Sequence, residues 1–249
     1  MHIEILATRA EMAAAAASAA TDLLLDVLRR KERVRLLAAT GNSQLEFLDF
    51  VTANRAVDWT RIELFHLDEY VGLGIEHPAS FARYIKGRIV DPTGIRDYHL
   101  IDGSREPHET AQLMSSKISS APVDVAFAGI GENGHLAFND PPADFEADDP
   151  YIVVTLDERC RQQQIGEGWF DSIEDVPTSA VTISIKQLLR SDRIICVVPD
   201  ARKAEAVAAC LEGPITPDAP ASALQKHHNA MVFLDRDSAA LLRYRRLSR

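Results

Sequence analysis

The chain has 249 residues, 46% of them hydrophobic and 26% charged, with a formal net charge of −10. That supports one sizeable core and argues against a disordered chain. It disfavours a nucleic-acid surface, which needs clustered positive charge, and no run approaches the ~18 apolar residues of a membrane span.

From the N-terminus, Thr8 and Glu11 have capping-box spacing, so a long Ala- and Leu-rich helix is predicted to about Arg30. Short apolar runs follow at Val34–Ala39, Ile62–Leu67, Val123–Ala128, Ile194–Val198 and Met231–Leu234. Helical patterns separate them. Ser43–Ala53 has Leu45, Leu48 and Val51 on one face, Pro78 precedes Phe81, Tyr84 and Ile85, and Ala201–Leu211 ends at a C-cap Gly213. The fold expected is α/β: a single domain over residues 1–249 with a mostly parallel sheet and helices on both faces. The proline- and acid-rich stretch Pro141–Pro150 reads as a loop or flap. Three cysteines with no CxxC pair give neither a disulfide framework nor a structural zinc site and fit a reducing compartment, the cytoplasm. The eight histidines form no HExxH pattern, so no metal is expected.

Four polar segments follow the predicted strands: Thr40-Gly41-Asn42-Ser43, Asp68-Glu69-Tyr70, Gly129 to His135, and Pro199 to Lys203. In a parallel sheet they emerge together at the carboxyl edge, where open α/β sheets place their ligands. Thr40–Ser43 is a small turn that opens a helix and suits an anion, although a plain turn capped by Ser43 fits equally well. Lys203 starts a second helix on the same edge. Asp68 reads either as a turn aspartate or as a general base, with Glu69 competing for that role. Gly129, Gly131 and Gly134 allow close backbone approach to a ligand, and His135 follows with Asp140 five residues on. The third glycine of a dinucleotide fingerprint is not at its usual place.

The segments Leu67-Asp68-Glu69-Tyr70-Val71-Gly72-Leu73 and Gly129-Ile130-Gly131-Glu132-Asn133-Gly134-His135-Leu136-Ala137-Phe138-Asn139-Asp140-Pro141 resemble glucosamine-6-phosphate deaminases, also called isomerases. The similarity runs through Thr40–Ser43, Asp175–Thr178 and Ala201–Ala204 to Pro220–Ser222, nearly the whole chain. The related 6-phosphogluconolactonases share the Gly-x-Gly-x-x-Gly-His frame but usually continue with Thr-Ala-Ser. The resemblance implies a modified Rossmann-like fold, no cofactor, and conversion of glucosamine 6-phosphate and water to fructose 6-phosphate and ammonia. The partner implied is a phosphorylated amino sugar, with no nucleic acid and no membrane; homo-oligomerisation is left open. By position, Asp68 would move the proton from C2, His135 would assist ring opening, Asp140 would orient His135, and Asn133 would share the catalytic loop. Thr40, Gly41, Asn42, Ser43 and Lys203 would hold the phosphate.

Three positions depart from the family's usual pattern. Asn133 stands where well-known members carry Asp, and Asp140 where Glu is commoner. Asp140 is therefore expected to reach His135 only through a backbone shift or a water. The arginine expected near the phosphate falls at Gln164, with Arg159 or Arg161 as substitutes. The alternatives are a lactonase, an isomerase or deaminase of another amino sugar, and a non-catalytic sugar-phosphate sensor.

Overall fold

The computed structural model describes residues 1–243. Its main sheet has seven strands in the order β1-β10-β9-β6-β2-β3-β5, every adjacent pair parallel. These are β1 (His2–Leu6), β2 (Val34–Ala38), β3 (Ile62–His66), β5 (Asp97–His99), β6 (Val125–Ala128), β9 (Arg193–Val198) and β10 (Ala230–Asp235). A second, antiparallel sheet joins β4 (Asp68–Tyr70), β8 (Ser179–Ile183) and β7 (Tyr151–Thr155) in that order. The helices are α1 (Arg9–Arg30), α2 (Leu45–Ala53), α3 (Phe81–Ile85), α4 (Asp91–Thr93), α5 (Pro107–Ile118), α6 (Glu158–Gly166), α7 (Ile185–Leu188) and α8 (Ala204–Glu212).

The parallel strands bury both faces, so their side chains divide between two cores. Leu36, Leu64, Val125, Phe127, Ile195 and Val197 pack against the Ala-rich face of α1 and against Phe47, Leu48 and Val51 of α2. Leu37, Phe65, Ala126, Ala128, Cys196 and Val198 face the other way, onto α5, α8 and the second sheet. Alanines at 13, 16, 17 and 20 are buried and let α1 lie close to the strands. The capping box forms as predicted: Thr8 Oγ1 accepts from the Glu11 N–H, and the Glu11 carboxylate accepts from the Thr8 N–H.

The five predicted strands are present within a residue or two, and the sheet is parallel as expected. The added antiparallel sheet changes one expectation. Asp68 is not in a loop; it starts β4, opposite Thr182 of β8, with only Leu67 between it and β3. Adjacent residues of a strand point to opposite faces, so Asp68 and Glu69 part company. Glu69 is fully buried and accepts hydrogen bonds from the Tyr70, Phe81 and Ala82 N–H groups and from the Ser80 hydroxyl, at 2.7–3.1 Å. It fastens the start of α3, whose N-cap is Ser80, with Pro78 in the turn before it. Glu69 is thus committed to the fold. Glu69→Ala leaves four buried donors without an acceptor and is expected to lower stability by about 3 kcal/mol. A chemical unfolding curve within about 0.5 kcal/mol of the native one would contradict this role.

Candidate active site

At the carboxyl edge of the main sheet the loops after β2, β6 and β9 meet the start of β4. They form an open cleft at that edge, the kind of concave site at which open α/β sheets take small molecules. Thr40, Gly41, Ser43, Asp68, Gly129, Gly131, His135 and Lys203 all line it. The stretch 141–150 does not; the opposite wall is formed by Gln163, Gln164 and Glu167 at the end of α6.

Asp68 is 5% exposed. Burial pushes its carboxyl up to about 8, with the neighbouring Glu69 charge adding to the effect and the Phe138 backbone N–H opposing it. His135 lines the same cleft, backed by Gly131. A methyl group on Gly131 would lie 2.2–2.4 Å from three atoms of the imidazole ring. Gly131→Ala is therefore expected to displace the ring and reduce turnover by about 100-fold, as ångström-scale misplacement does. Unchanged kcat in a well-folded variant would show that the ring's position is unimportant.

His135 Nδ1 lies 3.2 Å from Asp140 Oδ1, a close polar contact without the alignment of a hydrogen bond. The short Asp140 side chain therefore reaches the ring directly. Burial alone would raise the Asp140 carboxyl, but His135, Asn133 and the Asp157 N–H outweigh it and hold it below its usual range. Asn133 and Asp140 do not line the cleft; they stand behind His135. The Asn133 Nδ2 donates to Asp140 Oδ1 at 3.0 Å and to Asp157 Oδ2 at 2.9 Å, while its Oδ1 accepts from the His135 N–H at 3.0 Å.

Lys203, which also lines the cleft, is 2% exposed and closes a short 3₁₀ turn that leads into α8. Burial holds its ammonium below the usual range despite Glu167 and Glu132 nearby. The preceding Asp200 has φ +88, a strained backbone for a residue with a side chain. It is held there by the Asp235 carboxylate, which accepts from the Asp200 N–H, and by its own bonds to the Arg202 N–H and guanidinium. The turn after β2 opens α2 without a side-chain cap, so Ser43 is not the N-cap and its residue faces the cleft. Asn42 turns away: its Nδ2 donates to the Glu167 carbonyl, and its N–H meets the Glu167 carboxylate at 3.4 Å.

Arg159 is exposed and Arg161 donates to the Ile173 and Val176 carbonyls, so neither reaches the cleft. Gln164 does, buried and facing the lining residues. The residues not anticipated are Gln44, Gln163, Glu167 and Asp157. Gln44 donates to the Ala128 and Val197 carbonyls and so ties together the ends of β6 and β9.

A parallel sheet covered on both faces, with a carboxylate, an imidazole and a buried ammonium at one edge cleft, has the architecture of an α/β small-molecule enzyme. The chain belongs to the family of glucosamine-6-phosphate isomerases and 6-phosphogluconolactonase, which matches it over residues 7–233. A glucosamine-6-phosphate deaminase of Exiguobacterium sibiricum is 35% identical over 218 residues, 87% of this chain and 84% of the relative. One of Bacillus cereus is 32% identical over 242 residues, 97% and 89% of the two chains. The solved structure of a monomeric glucosamine-6-phosphate deaminase superposes with TM-score 0.86 at 31% identity, covering 97% of this chain and all of that one. A 6-phosphogluconolactonase from Thermotoga maritima, at 16% identity and TM-score 0.78, shares the fold. No helix among the described residues is long and apolar enough to cross a membrane.

Proposed function

We propose that this chain is an enzyme that isomerises and deaminates glucosamine 6-phosphate, giving fructose 6-phosphate and ammonia. The observation that carries the reading is the pairing of two proton-transfer groups, buried Asp68 and His135, on one cleft that also holds a buried lysine. The deaminase relatives at 32–35% identity support it.

The sugar's phosphate lies against Lys203 and the Thr40–Ser43 turn, where it displaces the Glu167 carboxylate from the Asn42 N–H. That anchor sets C1 and C2 against the acid–base groups. His135 serves ring opening, relaying the proton between the anomeric hydroxyl and the ring oxygen. Asp68 as carboxylate takes the proton from C2 of the open aldehyde and returns it to C1. As C2 loses its proton, one also passes from the C2 ammonium to the C1 oxygen, so the product of the shift is a C1 hydroxyl and a C2 iminium. The iminium adds water and expels ammonia, so one sugar phosphate and one water give one ketose phosphate and one ammonia. In the free protein Asp68 is largely protonated at neutral pH. The substrate's C2 ammonium beside it favours the charged carboxylate and draws the proton off.

The direct test is purified protein with glucosamine 6-phosphate, measuring ammonia and fructose 6-phosphate together. Equal amounts of both are expected. A folded protein that yields neither would end this reading.

A further inference from the structure

We infer that Asp157 is a positioning residue for His135, acting through a clasp in which one amide, Asn133, holds two carboxylates at once. The inference rests on the acid–base role of His135 proposed above.

Asp157 is the N-cap of α6, its Oδ1 accepting from the Cys160 N–H at 2.5 Å. A capping aspartate ordinarily turns its second oxygen to water. Here Oδ2 accepts from Asn133 Nδ2 at 2.9 Å, and the same nitrogen donates to Asp140 Oδ1 at 3.0 Å. The Asp157 N–H donates to Asp140 Oδ2 at 2.9 Å. Asp140 is therefore gripped on both oxygens, once through each end of the clasp, and it is Asp140 Oδ1 that meets the His135 ring. Asn133 closes the loop by accepting from the His135 N–H. Both hydrogens of the Asn133 amide are spent on carboxylates, which fixes its orientation without ambiguity.

A carboxylate at 133 would meet two others with no proton between them, and like charges at this range disfavour ionisation. The amide is required at 133 because Asp140 and Asp157 are both acids. In the exchanged pair an asparagine at 157 caps α6 as well as aspartate does and offers its amide to the carboxylate at 133, which removes one of that carboxylate's two like-charge contacts and leaves the one with Asp140. The titratable groups around the His135 ring are Asp140 in contact, Asp157 behind it, the Cys160 thiol against Asp140, and Asp68, Lys203 and Glu167 around the cleft.

The test compares Asp157→Asn, Asn133→Asp and the exchanged pair Asn133→Asp/Asp157→Asn, with Asp157→Ser as a second cap-preserving variant. Asp157→Asn is expected to lower kcat about tenfold with KM little changed, a partial loss against the ~10²–10⁴-fold of losing an acid–base group outright. Removing one negative charge from the clasp also changes the field at the imidazole, so the pH profile of kcat is expected to differ from the native one. Asn133→Asp is expected to lose more than Asp157→Asn, and the exchanged pair to regain activity relative to Asn133→Asp. Losses that simply multiply in the pair, or Asp157→Asn and Asp157→Ser with native kcat and native pH profile, would overturn the clasp. The ring-nitrogen chemical shifts of His135, compared by NMR at one pH in native protein and in Asp157→Asn, need no substrate. A change in them supports the clasp even if the native protein fails to turn over glucosamine 6-phosphate, and unchanged shifts count against it.

Discussion

Asp68→Asn is expected to lower kcat by roughly 10²–10⁴-fold, the usual effect of removing a general base, while leaving the phosphate anchor intact. An amide fills the same space and cannot take the C2 proton. The variant also has a stability signature. Native Asp68 is held neutral in the fold up to about 8, whereas its ordinary value is 3.8. Between those values the unfolded chain releases this proton and the folded chain keeps it, so this group's contribution to stability falls as pH rises through that window. The substituted amide does not titrate, so the variant gains on the native protein as pH rises to about 8. The native pH–rate profiles follow from the same group. The acid limb of kcat/KM, which reports the free protein, is expected near 8. The limb of kcat is expected lower, because the bound ammonium favours the carboxylate. Native-level turnover in Asp68→Asn, or a kcat limb above that of kcat/KM, would remove Asp68 from the reaction.

Lys203→Met is expected to raise KM for the sugar phosphate by about 10–100-fold, the worth of one charge-assisted hydrogen bond of ~1.5–3 kcal/mol. It is also expected to leave the fold at least as stable. The lysine is buried, joins none of the salt bridges among the described residues, and has its charge disfavoured by burial. Methionine keeps the apolar stem and drops the charge. Most residues that hold a charge in a buried place do so for the fold. Lys203 should separate the two, with affinity lost and melting temperature kept. A melting temperature lowered by ten degrees with KM unchanged would make it a structural lysine.

The loops of this site were legible in the sequence because each follows a short apolar run, and a parallel sheet sends all such ends to one edge. The strands left unread fail for separate reasons. In β1, His2 and Glu4 interrupt the apolar pattern, and as an edge strand it pairs only with β10. β5 is three residues long. β7 and β8 have strand composition, but an alternation of strands and helices leaves no place for an antiparallel pair packed on the first sheet. Glu69 and Asp68 are indistinguishable as adjacent acids until β4 turns one into the cleft and the other onto α3. Gln163, Gln164 and Glu167 carry no motif, since α6 is a polar helix that contributes from its last turns. Asp157 reads as an ordinary cap, and its second oxygen becomes visible only through Asn133.

The passage from β3 to β4 through the single residue Leu67 has a consequence for how the site is gauged. Lys203 and the turn after β2 hang from the seven-stranded sheet, whereas Asp68 belongs to the three-stranded one. In the reaction proposed above, the span from phosphate to C2 would therefore be measured across a joint between sheets, like the gap of a caliper whose jaws are separate pieces. Rim loops that carry neither group can lengthen or shorten without disturbing that gauge. A change in how the two sheets pack resets it, even when every residue in the cleft is kept.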